Sequence, residues 1–199
     1  PFHKKLTLAT CKPGMRRTKK EGDWVAGFAS KALVNNSRKL NVPIEERGLV
    51  YLAKISKVMP LEEYFDCPEF QCKKPAPVVN KYKNIEADYG DNIYSRLANG
   101  EWHWSENKNH EEGLWKDDTS GVNVLISDQY WYFGRKCIKP SGDWEDMGVH
   151  VPFGPTYYGY LSDEIGLNNM LDFVRKFKPG VVLGSPCLWG NIAVAACRN

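Results

Sequence analysis

The sequence predicts an α+β fold, in which a small curled mixed sheet or open barrel carries a few flanking helices. Two observations indicate this class: short segments of strand type recur along the chain, and only one long segment has the periodicity of a helix. The chain has 199 residues, of which 42% are hydrophobic, so it is long enough to bury a core. We therefore predict one domain over residues 1–199, in which a helix and strands of residues 151–199 complete the fold.

The first elements are indicated by short local patterns. Residues 6–10 (LTLAT) have the apolar and β-branched content of a strand. Pro13 is well placed for a helix start, so residues 15–20 are predicted to form one helical turn. A Gly-Asp turn precedes residues 24–30 (WVAGFAS), which are predicted as the second strand.

The middle of the chain combines one clear strand with irregular segments. Residues 31–47 contain Asn, Pro and mixed charge and are predicted as a loop. Residues 49–58 (LVYLAKISKV) begin apolar and then alternate, which predicts a single strand that ends in solvent. A proline precedes residues 61–65, a predicted short helix, and residues 66–84 are predicted to be irregular.

The second half contains the best helical pattern. Residues 122–127 (VNVLIS) predict a strand, and the aromatic run 130–134 (YWYFG) follows it. Apolar residues at helical spacing predict a helix over 167–177, which a Pro-Gly pair ends. Residues 181–183 and 192–196 are predicted as late strands.

Charge is distributed unevenly along the chain. The formal net charge is +3, but residues 1–40 carry +8 and the remaining residues carry −5. A basic segment next to an acidic remainder favours a polyanionic partner bound at one place, and it argues against a protein that coats nucleic acid generally. The acidic stretch 86–118 contains three Trp residues, so it is not a simple disordered tail.

Basic side chains are the candidate phosphate contacts. On a helical turn, positions 12, 16 and 20 share one face, and arginine can bind a phosphate through two donors. The same pattern is equally typical of a solvated helix face. The candidate nucleic-acid-binding residues are Lys12, Arg16, Arg17, Lys19, Lys20, Lys31, Lys73 and Lys74.

Aromatic and polar side chains are the candidates for a base pocket. In a strand, alternate members of the aromatic run point to opposite faces, so one set could line a pocket and the other the core, or both sets could be core and rim. Asp91 and Asn92 follow a Gly, so their side chains could hold a turn or could read a base edge. The candidate pocket residues are Trp24, Ser30, Asp91, Asn92, Tyr94, Asp128, Tyr130 and Tyr132.

Three residues are candidates for catalysis, and their roles stay open. Cys11 has cationic neighbours, which favour a thiolate, although a thiol nucleophile also needs a histidine partner and a cysteine at the end of a strand can instead face the core. Asp91 and Asp128 are candidate general acids or bases. The spacings of His and Cys fit no zinc signature, and no nucleotide-binding glycine motif is present, so no metal and no cofactor are predicted.

The cell compartment is predicted from the cysteines and from the absence of long apolar runs. No apolar run approaches the length of a membrane span, and residues 1–5 (PFHKK) have no apolar stretch behind them that would suit a signal peptide. The six Cys include no Cys-x-x-Cys pair. We therefore expect reduced thiols in the cytoplasm and no membrane partner.

Several strings together resemble a known family. They are LTLATCKP with Arg16 and Arg17, GDW at 22–24, GDNIY at 90–94, VLISD at 124–128 and YFG at 132–134. In combination they are similar to the second of the nucleotide-modification-associated domain families, found in bacteria and phages, chiefly over residues 1–150. The spacing of the Gly-Asp turn and the following strands is also similar to PUA-like modules such as EVE and YTH domains, which would imply a flipped base held between aromatic rings.

The resemblance and the charge pattern together predict a function. The expected function is recognition of a modified base in a bacterial or phage DNA-modification or defence system. The expected partner is nucleic acid, DNA in preference to RNA, or a modified nucleotide. One alternative is an enzyme that acts on a nucleotide or modified base through Asp or Cys chemistry. Another is a protein-interaction domain in which stretch 86–118 binds the partner.

Overall fold

The structure is a computed structural model that describes residues 1–39, 42–75, 89–107, 110, 112–152 and 159–186. The described residues form two compact units. The first contains Pro1–Asp23 and Lys54–Asp128, and the second contains Trp24–Ala53 and residues 129–186.

An antiparallel three-stranded sheet forms the centre of the first unit. Strand β7 (Asn123–Ser127) lies in the middle, between β1 (Leu6–Leu8) and β4 (Lys57–Pro60). Thr7 pairs with Ile126, and Met59 pairs with Val124. The central strand is almost wholly buried, as expected for an apolar run of β-branched residues.

Short helices and a hairpin cover this sheet. The helices are α1 (Pro13–Thr18), α3 (Leu61–Asp66) and α4 (Trp115–Thr119), and β5 (Tyr94–Arg96) pairs with β6 (Trp102–Trp104). A 3-10 helix, Pro68–Lys73, follows α3. The core between these elements contains aromatic and aliphatic side chains, among them Tyr64, Phe70, Ile93, Tyr94, Val124 and Ile126.

The second unit has its own sheet and core. Its strands have the order β2 (Trp24–Phe28), β3 (Leu49–Lys54) and β8 (Gln129–Tyr132). Helix α2 (Lys31–Lys39) connects β2 to β3, and helix α5 (Glu164–Val174) contributes buried Met170 and Val174 to the core. Trp144 is fully buried in that core, where its ring packs edge-on against Phe28 and Phe173.

The predicted fold class is confirmed: helices combine with small sheets in an α+β arrangement, and the sheets do not close into a barrel. The strands predicted near residues 6, 24 and 122 and the helix predicted at residue 61 are present. Helix α5 begins three residues earlier than predicted because Asp163 caps it, accepting the Gly166 N–H at 2.9 Å. The strand predicted at 192–196 lies outside the described residues.

Two sequence predictions were wrong. Residues 31–47 are not all loop, because α2 begins after Ser30, whose Oγ accepts the Leu33 N–H at 3.2 Å as a helix cap. Residues 49–58 are not one strand. The chain turns at Ile55 and Ser56, so β3 and β4 belong to different sheets.

None of the helices among the described residues has the length and apolar character that crossing a bilayer requires. The cytoplasmic location stays a prediction.

A buried arginine joins three segments of the first unit. Arg16, in α1, is 0% exposed, and its guanidinium donates to the carbonyls of Cys11 at 2.8 Å, Asn123 at 2.9 Å and Asp118. Gly121 leaves the space that this guanidinium fills, since a Cβ there would collide with it. Arg16 therefore holds α1 against the loop that leads from α4 to β7.

Replacing Arg16 should destabilise the protein strongly. Arg16→Met should lower the free energy of unfolding by about 3 kcal/mol, because three carbonyls lose a charged donor. Urea denaturation followed by tryptophan fluorescence measures this change. Arg17→Met is the matched control, because Arg17 is the exposed neighbour, and its effect should stay within about 0.5 kcal/mol. Equal losses in the two variants would contradict a special role for Arg16.

Candidate active site

The turn between β1 and α1 presents a thiol. Cys11 and Lys12 both have positive φ, 56° and 46°, a region that residues with a Cβ disfavour. Such a conformation costs about 1–3 kcal/mol per residue and persists only where the surroundings hold it. Pro13 opens α1 directly afterwards. The half-buried thiol of Cys11 therefore lies on a strained junction between a strand and a helix.

Three side chains from distant parts of the sequence meet at this turn. Cys11 Sγ lies 4.0 Å from His110 Nε2, and His110 Nδ1 lies 2.9 Å from Asp118 Oδ2. The Cys11 main-chain N–H also donates to Asp118 Oδ1 at 2.6 Å. His110 is 7% exposed and Asp118 is 3% exposed. The three groups have the arrangement found in enzymes that activate a nucleophile, in which the imidazole can accept the proton of the thiol and the carboxylate orients the imidazole.

Neighbouring groups keep the carboxylate of Asp118 ionised. Burial by itself would raise the pKa of Asp118, but His110, the Cys11 N–H and the Tyr94 hydroxyl hold this pKa below its usual value. Tyr94 donates to Asp118 Oδ2 at 2.8 Å from a fully buried position. Burial and the neighbouring carboxylate raise the pKa of Tyr94, so its phenol stays a donor. Asp118 is therefore a fixed negative charge beside the imidazole.

The two imidazole nitrogens of His110 have different neighbours. Nδ1 faces the carboxylate of Asp118, which places the ring proton of neutral histidine on Nδ1. Nε2 then accepts, and two groups compete for it: the Thr10 hydroxyl at 2.9 Å and the Cys11 thiol at 4.0 Å. Rotation of the Thr10 hydroxyl away from Nε2 would leave this nitrogen to the thiol.

The main-chain N–H of Cys11 is not available to bind a negatively charged oxygen of a reacting substrate. In many thiol and serine enzymes the N–H of the nucleophile binds a developing oxyanion. Here the Cys11 N–H is already committed to Asp118 Oδ1. The arrangement therefore fits a reaction in which the thiol attacks an electron-poor carbon and this N–H does not bind an oxyanion. It fits less well an acyl transfer in which this N–H would have to bind the oxyanion. The same three side chains also form a set of possible metal ligands.

The basic residues predicted around α1 fall into two groups. Arg16 is buried and holds main-chain carbonyls, whereas Arg17 and Lys20 are exposed. Arg17 donates to the Ser120 carbonyl at 2.9 Å, next to α4. Lys19 Nζ lies 3.9 Å from Asp23 Oδ2, and Lys12 is half-buried. Arg17 and Lys20 therefore face solvent, whereas Arg16 holds the fold.

The other predicted phosphate contacts lie apart from α1 in the chain. Lys73 is 5% exposed and donates to the carbonyls of Phe2 at 2.6 Å and Lys5 at 2.7 Å. Lys74 Nζ lies 3.5 Å from the centre of the Phe65 ring. Lys31 is exposed at the start of α2, in the second unit. Lys73 therefore anchors the N-terminal residues.

Several predicted pocket residues belong to the second unit and lie in its core. Tyr130 and Tyr132 are 1% and 9% exposed, and Trp24 stacks on Trp131 with 6.4 Å between ring centres. The Ser30 side chain caps α2. These contacts support the alternative in which the aromatic run is core.

The Gly-Asp-Asn motif packs into the first unit. Asp91 accepts the Thr7 hydroxyl at 2.6 Å and the Tyr64 hydroxyl at 2.9 Å. Asn92 is 1% exposed, and its amide donates to the carbonyls of Tyr64 and Phe70 at 3.1 Å. These bonds engage both side chains inside the first unit.

Asp128 lies at the surface of the first unit, where Lys5 donates to it at 2.6 Å. The Lys5 hydrogen bond holds the pKa of Asp128 below its usual value, so this side chain is an exposed carboxylate.

The structure therefore assembles two predicted residues, Cys11 and Tyr94, with two that were missed, His110 and Asp118. One signal could have found the histidine. A thiol nucleophile needs an imidazole, and the chain has four histidines in total. No local pattern distinguishes Asp118 from the other acids of the 86–118 stretch.

A comparison with protein families matches the chain to a known family. The model of the family described as nucleotide modification associated domain 2 matches residues 1–191. This confirms the resemblance drawn from the motifs and extends it beyond residue 150. No curated protein and no solved structure matches the chain, and the similarity to PUA-like modules stays a prediction.

In EDTA-treated protein, the neutral form of the His110 imidazole should carry its proton on Nδ1. Long-range ¹⁵N–¹H correlation spectra distinguish the two tautomers, and the exposed His103 serves as an internal reference. Asp118→Asn should abolish this preference, because the variant lacks the carboxylate that attracts the proton. If the wild-type protein carries the proton on Nε2, this nitrogen cannot accept the thiol proton, and the assignment of His110 as the base is wrong.

Proposed function

Because the chain belongs to the nucleotide modification associated domain 2 family, we propose that it is an enzyme that acts on a nucleotide or a modified base, with Cys11 as its nucleophile. The observation that carries this proposal is the Cys11–His110–Asp118 arrangement at a strained turn. The family supports the nucleotide as substrate class, and the side-chain geometry supports the thiol chemistry.

The proposed chemistry follows from the order of the groups. His110 Nε2 takes the thiol proton, and the electron pair of the Cys11 sulfur forms a bond to an electron-poor carbon of the substrate. Asp118 stabilises the imidazolium that results and keeps it oriented. The imidazolium then returns its proton to the substrate atom that gained the displaced electron pair. Thr10 releases Nε2 when the substrate brings the thiol towards it.

A modified-base binding module is the second candidate function. The exposed cations Arg17 and Lys20 favour it, since both lie in the basic segment that follows Cys11. In the proposed enzyme the same cations would hold the phosphates of the nucleic acid, DNA in preference to RNA, that contains the substrate. The interaction-domain alternative has less support, because stretch 86–118 supplies Tyr94, His110 and Asp118 to the site.

Cys11 should react with iodoacetamide faster than the exposed Cys72, by about tenfold or more at neutral pH, because His110 can accept the thiol proton. Peptide mass spectrometry after timed quenching gives both rates in one sample. His110→Ala should slow the labelling of Cys11 and leave that of Cys72 unchanged. Equal rates at Cys11 in the wild-type protein and the His110→Ala variant would remove His110 from the mechanism.

Turnover tests the function itself. The purified protein is incubated with nucleotides and with plain and modified oligonucleotides, and the nucleosides are then analysed by mass spectrometry. Conversion should require Cys11 and should be lost in Cys11→Ser, whereas Cys72→Ser, the matched control, should retain it. Conversion by Cys11→Ser at the wild-type rate would reject the nucleophile. Specific binding to modified oligonucleotides without conversion would favour the second candidate.

Nucleic-acid affinity should fall with rising salt and depend on the exposed cations. Arg17→Ala and Lys20→Ala should each reduce the slope of log affinity against log salt by about 1, because each removes one phosphate contact. Fluorescence anisotropy with a labelled oligonucleotide measures the slope. Lys57→Ala, which removes an exposed cation of β4, is the control and should leave the slope unchanged. A slope near zero in the wild-type protein would contradict phosphate binding.

A further inference from the structure

We propose that Cys11, His110 and Asp118 together bind Zn²⁺ and that the ion reversibly blocks the thiol. One potential ligand atom from each of the three side chains lies within 4.8 Å of the other two. The blocking effect rests on the proposed function, because it assumes that Cys11 is the nucleophile. Binding of the ion does not depend on that assumption.

The donor set selects the metal. A thiolate, an imidazole and a carboxylate are typical ligands of zinc, whereas calcium and magnesium prefer oxygen atoms alone. Three protein ligands with a fourth position open to solvent are the pattern of zinc sites that exchange a ligand. Here Cys11 is half-buried while His110 and Asp118 are more than nine-tenths buried, so an open position would face the side of the thiol.

The three side chains are close enough to share an ion after rotation of one of them. Ligand atoms around a tetrahedral zinc ion lie roughly 3.3–3.6 Å apart, from zinc–ligand bonds of about 2.0–2.3 Å. An ion bound through His110 Nδ1 would lie beside Asp118 Oδ2, which is 2.9 Å from that nitrogen, whereas Cys11 Sγ is 4.0 Å from the other ring nitrogen, Nε2. Because one ion uses only one nitrogen of the ring, binding through Nδ1 requires the Cys11 or the His110 side chain to rotate, and the three ligand atoms start within 4.8 Å of one another.

A buried nitrogen supplies an independent observation. His110 Nδ1 is buried, and no acceptor among the described residues completes a well-aligned hydrogen bond with it, although Asp118 Oδ2 is close. Buried polar atoms without such a bond are rare and need an explanation. The carboxylate of Asp118 beside this nitrogen, together with the Cys11 thiol once it loses its proton, makes a cation the fitting partner, although Arg16 lies nearby.

Residues around the three ligands can orient them. Tyr94 donates to Asp118 Oδ2 at 2.8 Å, and Thr10 Oγ1 lies 2.9 Å from His110 Nε2. Such outer contacts raise metal affinity because they fix the orientation of the ligands before the ion arrives. A zinc-bound thiolate has its electron pair engaged by the ion, so it no longer attacks carbon, and removal of the ion restores it.

Cobalt and zinc titrations of the EDTA-treated full-length protein test the site. One equivalent of Co²⁺ should produce a thiolate-to-metal charge-transfer band, and Zn²⁺ should displace it. Cys11→Ser should lose the band and Cys72→Ser, the control, should retain it. Affinity for Zn²⁺ should fall about tenfold in Tyr94→Phe, which removes an outer contact, and about 100-fold or more in Asp118→Asn. Circular dichroism checks that each variant is folded.

Labelling with iodoacetamide separates this proposal from the proposed function. One equivalent of Zn²⁺ should slow the labelling of Cys11 at least tenfold and leave Cys72 unaffected. Absence of the cobalt band in the wild-type protein, or its persistence in Cys11→Ser, would overturn the metal site. Fast labelling of Cys11 with no metal binding would reject only the zinc proposal. A cobalt band together with a Cys11 that is inert in metal-free protein would support the metal site and reject the nucleophile.

Discussion

The donors of one buried guanidinium hold the first unit together. Arg16 binds carbonyls of three segments: the turn after β1, the end of α4 and the start of β7. Two of these carbonyls belong to Cys11 and Asp118, which are also two of the three members of the site. Burial lowers the pKa of Arg16 and the charge of Asp118 opposes this effect. Because the ordinary pKa of arginine is very high, Arg16 stays charged in this position. Fold and site thus depend on the same set of bonds.

This arrangement explains why the most basic segment of the chain serves two purposes. Helix α1 has only six residues and draws little stability from its own hydrogen bonds. Its inward face gives Arg16 to the core, and its outward face gives Arg17 to solvent. A sequence pattern of consecutive cations therefore contains one structural and one exposed arginine. The sequence alone could not show which arginine is buried, because the burial of Arg16 depends on the space that Gly121 leaves.

Local features were largely predictable. Strands such as β7 and helix α5 carry their apolar periodicity in the sequence, so their existence follows from pattern alone. Helix α2 was missed because its Asn and Ser residues have low helix propensity, and the Ser30 cap and burial of Val34 and Ser37 outweigh that propensity. The site was only partly predictable. Cys11 was a candidate from its neighbours, but its partners lie 99 and 107 residues away and come together only through the sheet.

The left-handed conformation at Cys11 and Lys12 also has a consequence for protein engineering and for evolution. Glycine adopts such angles without penalty, so Lys12→Gly would relax the turn, at the expense of greater chain entropy in the unfolded state. No substitution relaxes position 11 without deleting the sulfur. Selection for stability alone would therefore disfavour cysteine at this position, so a cysteine kept here carries a cost in the stability of the folded state.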